Sequence, residues 1–280
     1  MSITYEDYAI TLEDLWIFDE SRWLYYESLE ELYSKSKPNP RYKGPFEFPG
    51  TQGQSKSAIW RTVRALNCTA SSCKKICRMT SDNSIMQFLR KHLWGLDSFT
   101  SKACSYGNSH EEKARQAYIQ KKRAVDDTVQ VLTTGLHVHT EYLGLACSLD
   151  GQVISDRSPP RNLEIKCPYT LREKDPNNFE NVLNKKQMSN FCLTRNSNGQ
   201  LELKQTHEYY YQIQMGMGLT ECSSCDFFVW SKYGSILITV PFNESLWKEI
   251  RKKLALFHWE IMVPEYFAMK TPRNLTAIKI

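Results

Sequence analysis

The chain has 280 residues, 41% of them apolar, which is enough for one large domain with a sizeable core or for one domain with an extension, and we expect the second. Its 36 Lys and Arg against 31 Asp and Glu leave a net charge of +5, a mild basic excess that suits a polyanionic partner without requiring one. No apolar run approaches the length of a membrane span, and the start, MSITYEDYAITLEDLW, has no basic region leading into an apolar one, so neither a membrane protein nor a secreted one is expected. The nine cysteines are an odd number, and several, such as Cys147 and Cys167, sit in apolar segments. They read as reduced thiols of an intracellular protein, in the nucleus or the cytosol.

Residues 1 to 35 are acidic and aromatic with helix-like apolar spacing, and read as a helical extension. The following KSKPNPRYKGPFEFPGTQGQSKS holds four prolines and three glycines and reads as an extended connector, which sets a boundary near residue 50. From Ala58 to Gln120 the pattern is helical, with segments SAIWRTVRAL, TASSCKKICRM, DNSIMQFLRKHLWG and NSHEEKARQAYIQKK. From Thr128 the stretches VQVLTTGLHVHTEYLGLACSLDGQVI and RNLEIKC are short, β-branched and broken by turn residues, and are expected to be strands of one sheet. FCLTRNSNGQLELK predicts a hairpin turning at Asn198-Gly199, and HEYYYQIQMGMGL a helix. CDFFVW and SILITV are two further strands, and ESLWKEIRKKLALFHWEIMVPEYF closes as an amphipathic helix. The class is α/β or α+β.

Within this frame SLDG is followed, after thirteen residues between its aspartate and the next acid, by EIK in the apolar run LEIKCPYT. Side chains alternate along a strand, so Glu164 and Lys166 share a face, and Asp150 on a preceding strand or turn can converge on them. Two carboxylates suit a hard cation such as Mg²⁺, with Asp150, Glu164 and the Ile165 carbonyl as the cage. Lys166 is left to hold or deprotonate the water that attacks phosphorus, while the metal neutralises charge on the transition state. An acid and a lysine two residues apart more often mean a solvated strand face with a weak ion pair. The flanking Leu163, Ile165, Cys167 and Pro168 argue against a purely surface role.

The order of SLDG, LEIKCPYT and HEYYYQIQMGMGLTECSSCDFFVWSKYG, preceded by TQGQSKSAIWRTVRALNCTASS and YGNSHEEKARQAY, resembles the YqaJ-like viral recombinase and lambda exonuclease group of the PD-(D/E)XK nuclease superfamily, over about residues 51 to 262. In particular it resembles the version found in eukaryotic genomes and in large DNA viruses of eukaryotes. The resemblance implies a restriction-endonuclease-like core, a mixed central sheet flanked by helices, on residues 51 to 280, with residues 1 to 50 as the helical extension and linker. It implies a metal-dependent exonuclease acting on duplex DNA from the 5′ end, in recombination or DNA-end processing, using Mg²⁺ for which Mn²⁺ can substitute. Duplex DNA ends are the implied partner, with a single-strand annealing protein beside them. Lambda-type members form ring trimers, whereas alkaline nucleases of large eukaryotic viruses often act alone, and the acidic extension favours a monomer here. Relatives that also cut RNA or cut internally, and a catalytically weak DNA-end-binding module, are the alternatives.

Carried over by position, Asp150 and Glu164 are metal ligands and Lys166 is the catalytic lysine. Tyr209, Gln212 and Gln214 match a YxxQxQ helix, with Gln212 expected to face Lys166. Glu111 stands three residues before Ala114, as the family's acid does, and is a further catalytic or metal residue. Asn108 and Glu111 also have the spacing of a capping box, in which Glu111 merely satisfies the start of a helix, and Glu112 is the solvent-facing neighbour. Trp60, Arg64 and Thr69-Ala70-Ser71 match motifs that hold the 5′-terminal phosphate, Arg64 by a bidentate fork and Ser71 by its hydroxyl. The ordinary alternative is Thr69 as a helix cap and Arg64 in solvent. Leu149 stands where the family commonly has proline, and Thr140-Glu141 where some members have another aspartate, which puts a second metal in doubt. Cys222-x-x-Cys225 reads as buried thiols, His137-x-His139 as a structural or exposed pair, and Lys121-Lys122-Arg123 and Lys185-Lys186 as solvated faces able to touch the DNA backbone without reading sequence.

Overall fold

The computed structural model describes residues 44–96, 101–139 and 141–275, and the segment read as a helical extension lies outside them. In chain order the regular elements are β1 (Pro45–Glu47), α1 (Ala58–Ala65), β2 (Cys68–Thr69), α2 (Cys73–Cys77), α3 (Asp82–His92), α4 (Lys102–Arg123), β3 (Gln130–Leu132), β4 (Leu136–His139), β5 (Leu145–Ser148), β6 (Gly151–Ser155) and β7 (Ser158–Lys166). There follow α5 (Phe179–Val182), α6 (Lys185–Asn190), β8 (Leu193–Arg195), β9 (Leu201–Leu203), α7 (Glu208–Thr220), β10 (Ser224–Ser231), β11 (Gly234–Pro241), α8 (Glu244–Phe257) and α9 (Val263–Ala268). The described residues divide into two compact units, one built from 44–96, 135–139, 141–147 and 248–275, the other from 101–134 and 148–247. The strands expected to form one sheet are therefore shared between two.

In the first unit β1, β4, β5 and β2 lie in that order in one sheet, with β1 antiparallel to β4 and β2 parallel to β5. Part of the proline-rich stretch read as a connector is thus a strand, and its Phe46 and Phe48 are buried. At Gly135 a Cβ would stand 2.2 Å from the Thr51 hydroxyl, so only glycine lets the chain pass Thr51 on its way into β4. Ser57 and Ser81 cap α1 and α3 through bonds from Trp60 N–H and Ser84 N–H. The closing amphipathic run is not one helix: α8 passes through a π-helical stretch, His258–Met262, before α9 begins with Val263 and Pro264. Proline has no N–H to continue the α ladder, which accounts for the break in register.

In the second unit the sheet order is β11-β10-β7-β6-β3, so β7 is central, parallel to β10 and antiparallel to β6. Alternation along the strands divides the core. Leu163, Ile165 and Phe228 pack with Ala114 and Tyr118 of α4. Phe227 and Val229 pack on the opposite face with Tyr210, Ile213 and Met217 of α7. The β8–β9 hairpin turns as expected at Gly199, whose φ of 73° favours glycine. A central strand clad by a helix on each face leaves its C-terminal end as the place where polar side chains from both layers can meet.

Candidate active site

The pairing of β6 with β7 ends at Gly151 opposite Leu163. Carried one residue further, the same register sets Asp150 opposite Glu164. Here the turn leaving β5 replaces the strand, and the Asp150 carboxylate takes the place of a ladder partner by accepting the Ile165 N–H at 2.7 Å. The N–H and C=O of one strand residue leave on the same side, so the Ile165 carbonyl also opens toward this interrupted edge. Gly151 is needed next to the aspartate because a Cβ there would lie 2.7 Å from a methyl of Val131 on β3.

Glu164 and Lys166 lie on the face of β7 that meets α7. The Lys166 ammonium is 2.5 Å from Glu164 Oε1, and Gln212 Nε2 donates to that same oxygen at 2.6 Å. Lys166 also stands over the Tyr209 ring, 4.5 Å from its centre. Gln214 behaves differently: it is fully buried, donates to the Pro241 carbonyl at 2.9 Å and accepts the Asn243 N–H at 2.7 Å. Of the two glutamines, Gln212 meets the acid and Gln214 ties down the end of β11.

Glu111 comes from the other face. The helix that carries it starts at Lys102, with the Ser101 hydroxyl accepting Cys104 N–H, so the capping box read at Asn108 and Glu111 does not form and Glu111 is interior to α4. Ala114 and Tyr118 are buried against β7 and β10, which turns Glu111, one turn earlier, toward the same strand end. Arg115, which sequence reading passed over, completes the group. Its Nε donates to the Asp150 carbonyl at 3.0 Å, its Nη2 to Glu111 at 2.7 Å and its Nη1 to Glu112. An E-E-x-x-R pattern on a helix looks like an ordinary solvated ion pair. Only the bond to the Asp150 backbone, 35 residues away, distinguishes it.

The acids bear on one another. Burial raises the carboxyl of Glu164 to about 7, with the charges of Asp150 and Glu111 adding to the rise and Lys166 opposing it. Burial likewise raises Asp150, against Lys166 and the Ile165 N–H. Glu111 rises by burial and by the charge of Asp150, with Arg115 opposing. Burial alone would lower Lys166, but Glu164 and Asp150 outweigh it and the net shift is upward. Three acids that resist being charged together are a donor set that a divalent cation relieves. Among the described residues no three His, Cys, Asp or Glu side chains gather closely enough to hold a metal by themselves. An Mg²⁺ site of two carboxylates, a backbone carbonyl and water does not need that.

In the first unit Arg64 donates to the Ser71 hydroxyl at 2.8 Å and lies over the Trp60 ring at 5.0 Å. Burial lowers its pKa. Thr69 caps the turn Ala70–Ser72 in a capping box with Ser72, so the capping reading of Thr69 and the pairing of Arg64 with Ser71 hold side by side. The features set aside earlier have local explanations. Cys222 and Cys225 are buried free thiols. His137 and His139 are buried in β4, and His139 accepts the Glu141 N–H. The basic run at 121–123 is not simply solvated. Lys122 lies 3.3 Å from the fully buried Asp226, and Arg123 donates to the Val129 carbonyl.

A mixed sheet with helices on both faces and acids at the end of its central strand is the fold of the PD-(D/E)XK nucleases. It is shared with the alkaline exonuclease LHK-Exo from Laribacter hongkongensis, at a TM-score of 0.54 and 22% identity over 78% of this chain and 98% of that one. The structure of LHK-Exo in complex with dAMP gives 0.55 and 21% over the same shares. Residues 59–223 match the YqaJ-like viral recombinase domain. The chain belongs to that family. No curated protein sequence matches it.

Proposed function

We propose that this protein is a divalent-metal-dependent nuclease that hydrolyses phosphodiester bonds of duplex DNA from the 5′ end, in recombination or DNA-end processing. The observation that carries the reading is the convergence of Asp150, Glu164 and the Ile165 backbone at the interrupted end of β7, with Lys166 and Gln212 on Glu164. Membership of the YqaJ-like family supports it. Asp150, Glu164 and the Ile165 carbonyl would hold Mg²⁺ or Mn²⁺, with Glu111 of α4 reaching it through water. A bound cation supplies positive charge against the phosphate oxygens and the leaving oxygen. Lys166, held as an ammonium by Glu164 and Asp150, orients the attacking water, and Gln212 and Arg115 keep Glu164, Glu111 and the Asp150 turn in place. Arg64 and Ser71 take the 5′ phosphate.

The test is to incubate the protein with Mg²⁺ and end-labelled duplexes, with and without a 5′ phosphate, beside a labelled RNA. Nucleotide release from the 5′ end is the expected result. Internal cuts or loss of the RNA would replace it with a broader alkaline nuclease, and retention of ends without turnover would leave an end-binding module.

A further inference from the structure

Beside the acids, on the second unit, stands a group of aromatic rings that the chemistry above does not use. Tyr106 and His110, on α4 just before Glu111, stack with ring centres 4.0 Å apart. Tyr169, in the turn directly after β7, meets Tyr106 edge-on at 5.6 Å, and Trp230 on β10 lies 6.2 Å from His110. Two cations lie over rings here: Arg172 over Tyr169 at 4.2 Å, and Lys232 over Tyr233 at 4.9 Å. Tyr106, His110, Tyr169 and Trp230 are half-buried, and Tyr233, at the β10–β11 turn, is 51% exposed. Rings gathered from three separate stretches, edged by guanidinium and ammonium groups and left partly open, are more than the lip of a core. The group borders the acids, since His110 directly precedes Glu111 on α4 and Tyr169 follows Lys166 by three residues at the end of β7.

We propose that Tyr106, Tyr169 and Tyr233, with Arg172 and Lys232, form a stacking platform for the bases of single-stranded DNA adjoining the acids at the end of β7. Every base has a flat π face, so rings bind a strand without reading its sequence, and the cations meet its phosphates. A duplex keeps its base faces stacked internally and cannot use such a surface. Glu173 stands beside Arg172 and also acts on Tyr106, so the charge is not one-sided and stacking, not attraction alone, must supply the preference. The inference rests on the nuclease reading only for the origin of the strand.

The test is the affinity of the full chain, with a chelator present, for a fluorescent single-stranded deoxyoligonucleotide, a blunt duplex of the same length and inorganic polyphosphate. Loss of one base stack corresponds to roughly a tenfold weakening of single-strand binding. Tyr169→Leu is expected to show it, with duplex and polyphosphate binding within about twofold of wild type, while Tyr169→Phe, which keeps the ring, restores it. Arg172→Met, at an exposed position, is expected to weaken single-strand binding severalfold even if Tyr169→Leu does not fold. Equal weakening on all three ligands, or none on the single strand with either Tyr169→Leu or Arg172→Met, would overturn the platform. Because no turnover is needed, absence of cleavage by the wild type in Mg²⁺ would refute the nuclease reading separately.

Discussion

Glu164 is an acid on the central strand of a sheet, 4% exposed, and it is tolerable there because Lys166 and Gln212 both donate to it. Glu164→Gln keeps the shape and removes the charge. Turnover in Mg²⁺ is expected to fall on the order of 10³-fold while affinity for duplex ends changes little. Single-turnover rates and end binding measured on the same preparation decide it, and near-normal turnover would remove Glu164 from the chemistry. Arg115 works through others: Arg115→Met leaves the Asp150 carbonyl and Glu111 without a donor. The loss of charged hydrogen bonds is worth about 1.5–3 kcal/mol each. The rate is expected to drop and the Mg²⁺ concentration for half-maximal rate to rise, which a Mg²⁺ titration reads directly. A lower unfolding midpoint with an unchanged Mg²⁺ requirement would make Arg115 structural only. For Arg64, the expected effect is selective. Arg64→Ala should cost roughly tenfold to a hundredfold on 5′-phosphorylated duplex, since it removes a charge-assisted pair, and far less on hydroxyl-ended duplex. An unchanged ratio of the two rates at one salt concentration would remove Arg64, and the assigned polarity, from the mechanism.

At the scale of elements, α4 and α7 each carry one part of the polar group and one part of the core. On α4 the Tyr118 hydroxyl donates to Asp226 of β10 at 2.6 Å, and Lys122 lies against the same carboxylate. Arg161 of β7 and the Thr239 hydroxyl reach it too, at 3.7 and 2.7 Å. A buried charge with this many partners locks helix to sheet in one register, and thereby sets where Glu111 and Arg115 stand. The helical segments of the first unit carry a different liability. Burial holds His92 and His258 neutral, each with its pKa depressed to about 4, although the Asn67 carbonyl opposes this at His92. The unfolded chain takes up these protons below about 6.5, so stability is complete above that pH and declines as pH falls toward 4. Between pH 7 and pH 5 this amounts to about 2 kcal/mol for each histidine. His258→Phe retains a ring against Gly144 and cannot titrate. Chemical unfolding at the two pH values is expected to show the variant losing about 2 kcal/mol less than wild type, and equal losses would exclude His258 as a source of acid sensitivity.

For the whole molecule, the expectation of a monomer translates into a light-scattering mass near 32.7 kDa at micromolar concentration. A mass three times larger would show the ring assembly instead. Among the described residues no helix is long and apolar enough to cross a membrane.

What the sequence determined by itself was short-range. Alternation places Glu164 and Lys166 on one face of any strand that contains them, and the Asn198-Gly199 turn and the helices at Ala58 and Glu208 follow from local capping and turn preferences. The family motifs then pointed to Asp150, Gln212 and Glu111. What only the tertiary structure decided was everything that depends on offset between distant segments. The register of β6 on β7 sets Asp150 opposite Glu164, and the packing of α7 sends Gln214 to the Pro241 carbonyl and the Asn243 N–H. The division of the strands between two sheets depends on which distant segments pair, β1 with β4 and β3 with β6, which no local pattern announces. The true start of α4 at Ser101 removed the capping reading of Glu111, and Arg115 emerged only once Asp150 lay beside it. Propensity acts over a few residues, whereas packing of Ala114, Tyr118 and Phe228 fixes angles and offsets across more than a hundred. Which polar atoms meet at the end of β7 is settled by that packing.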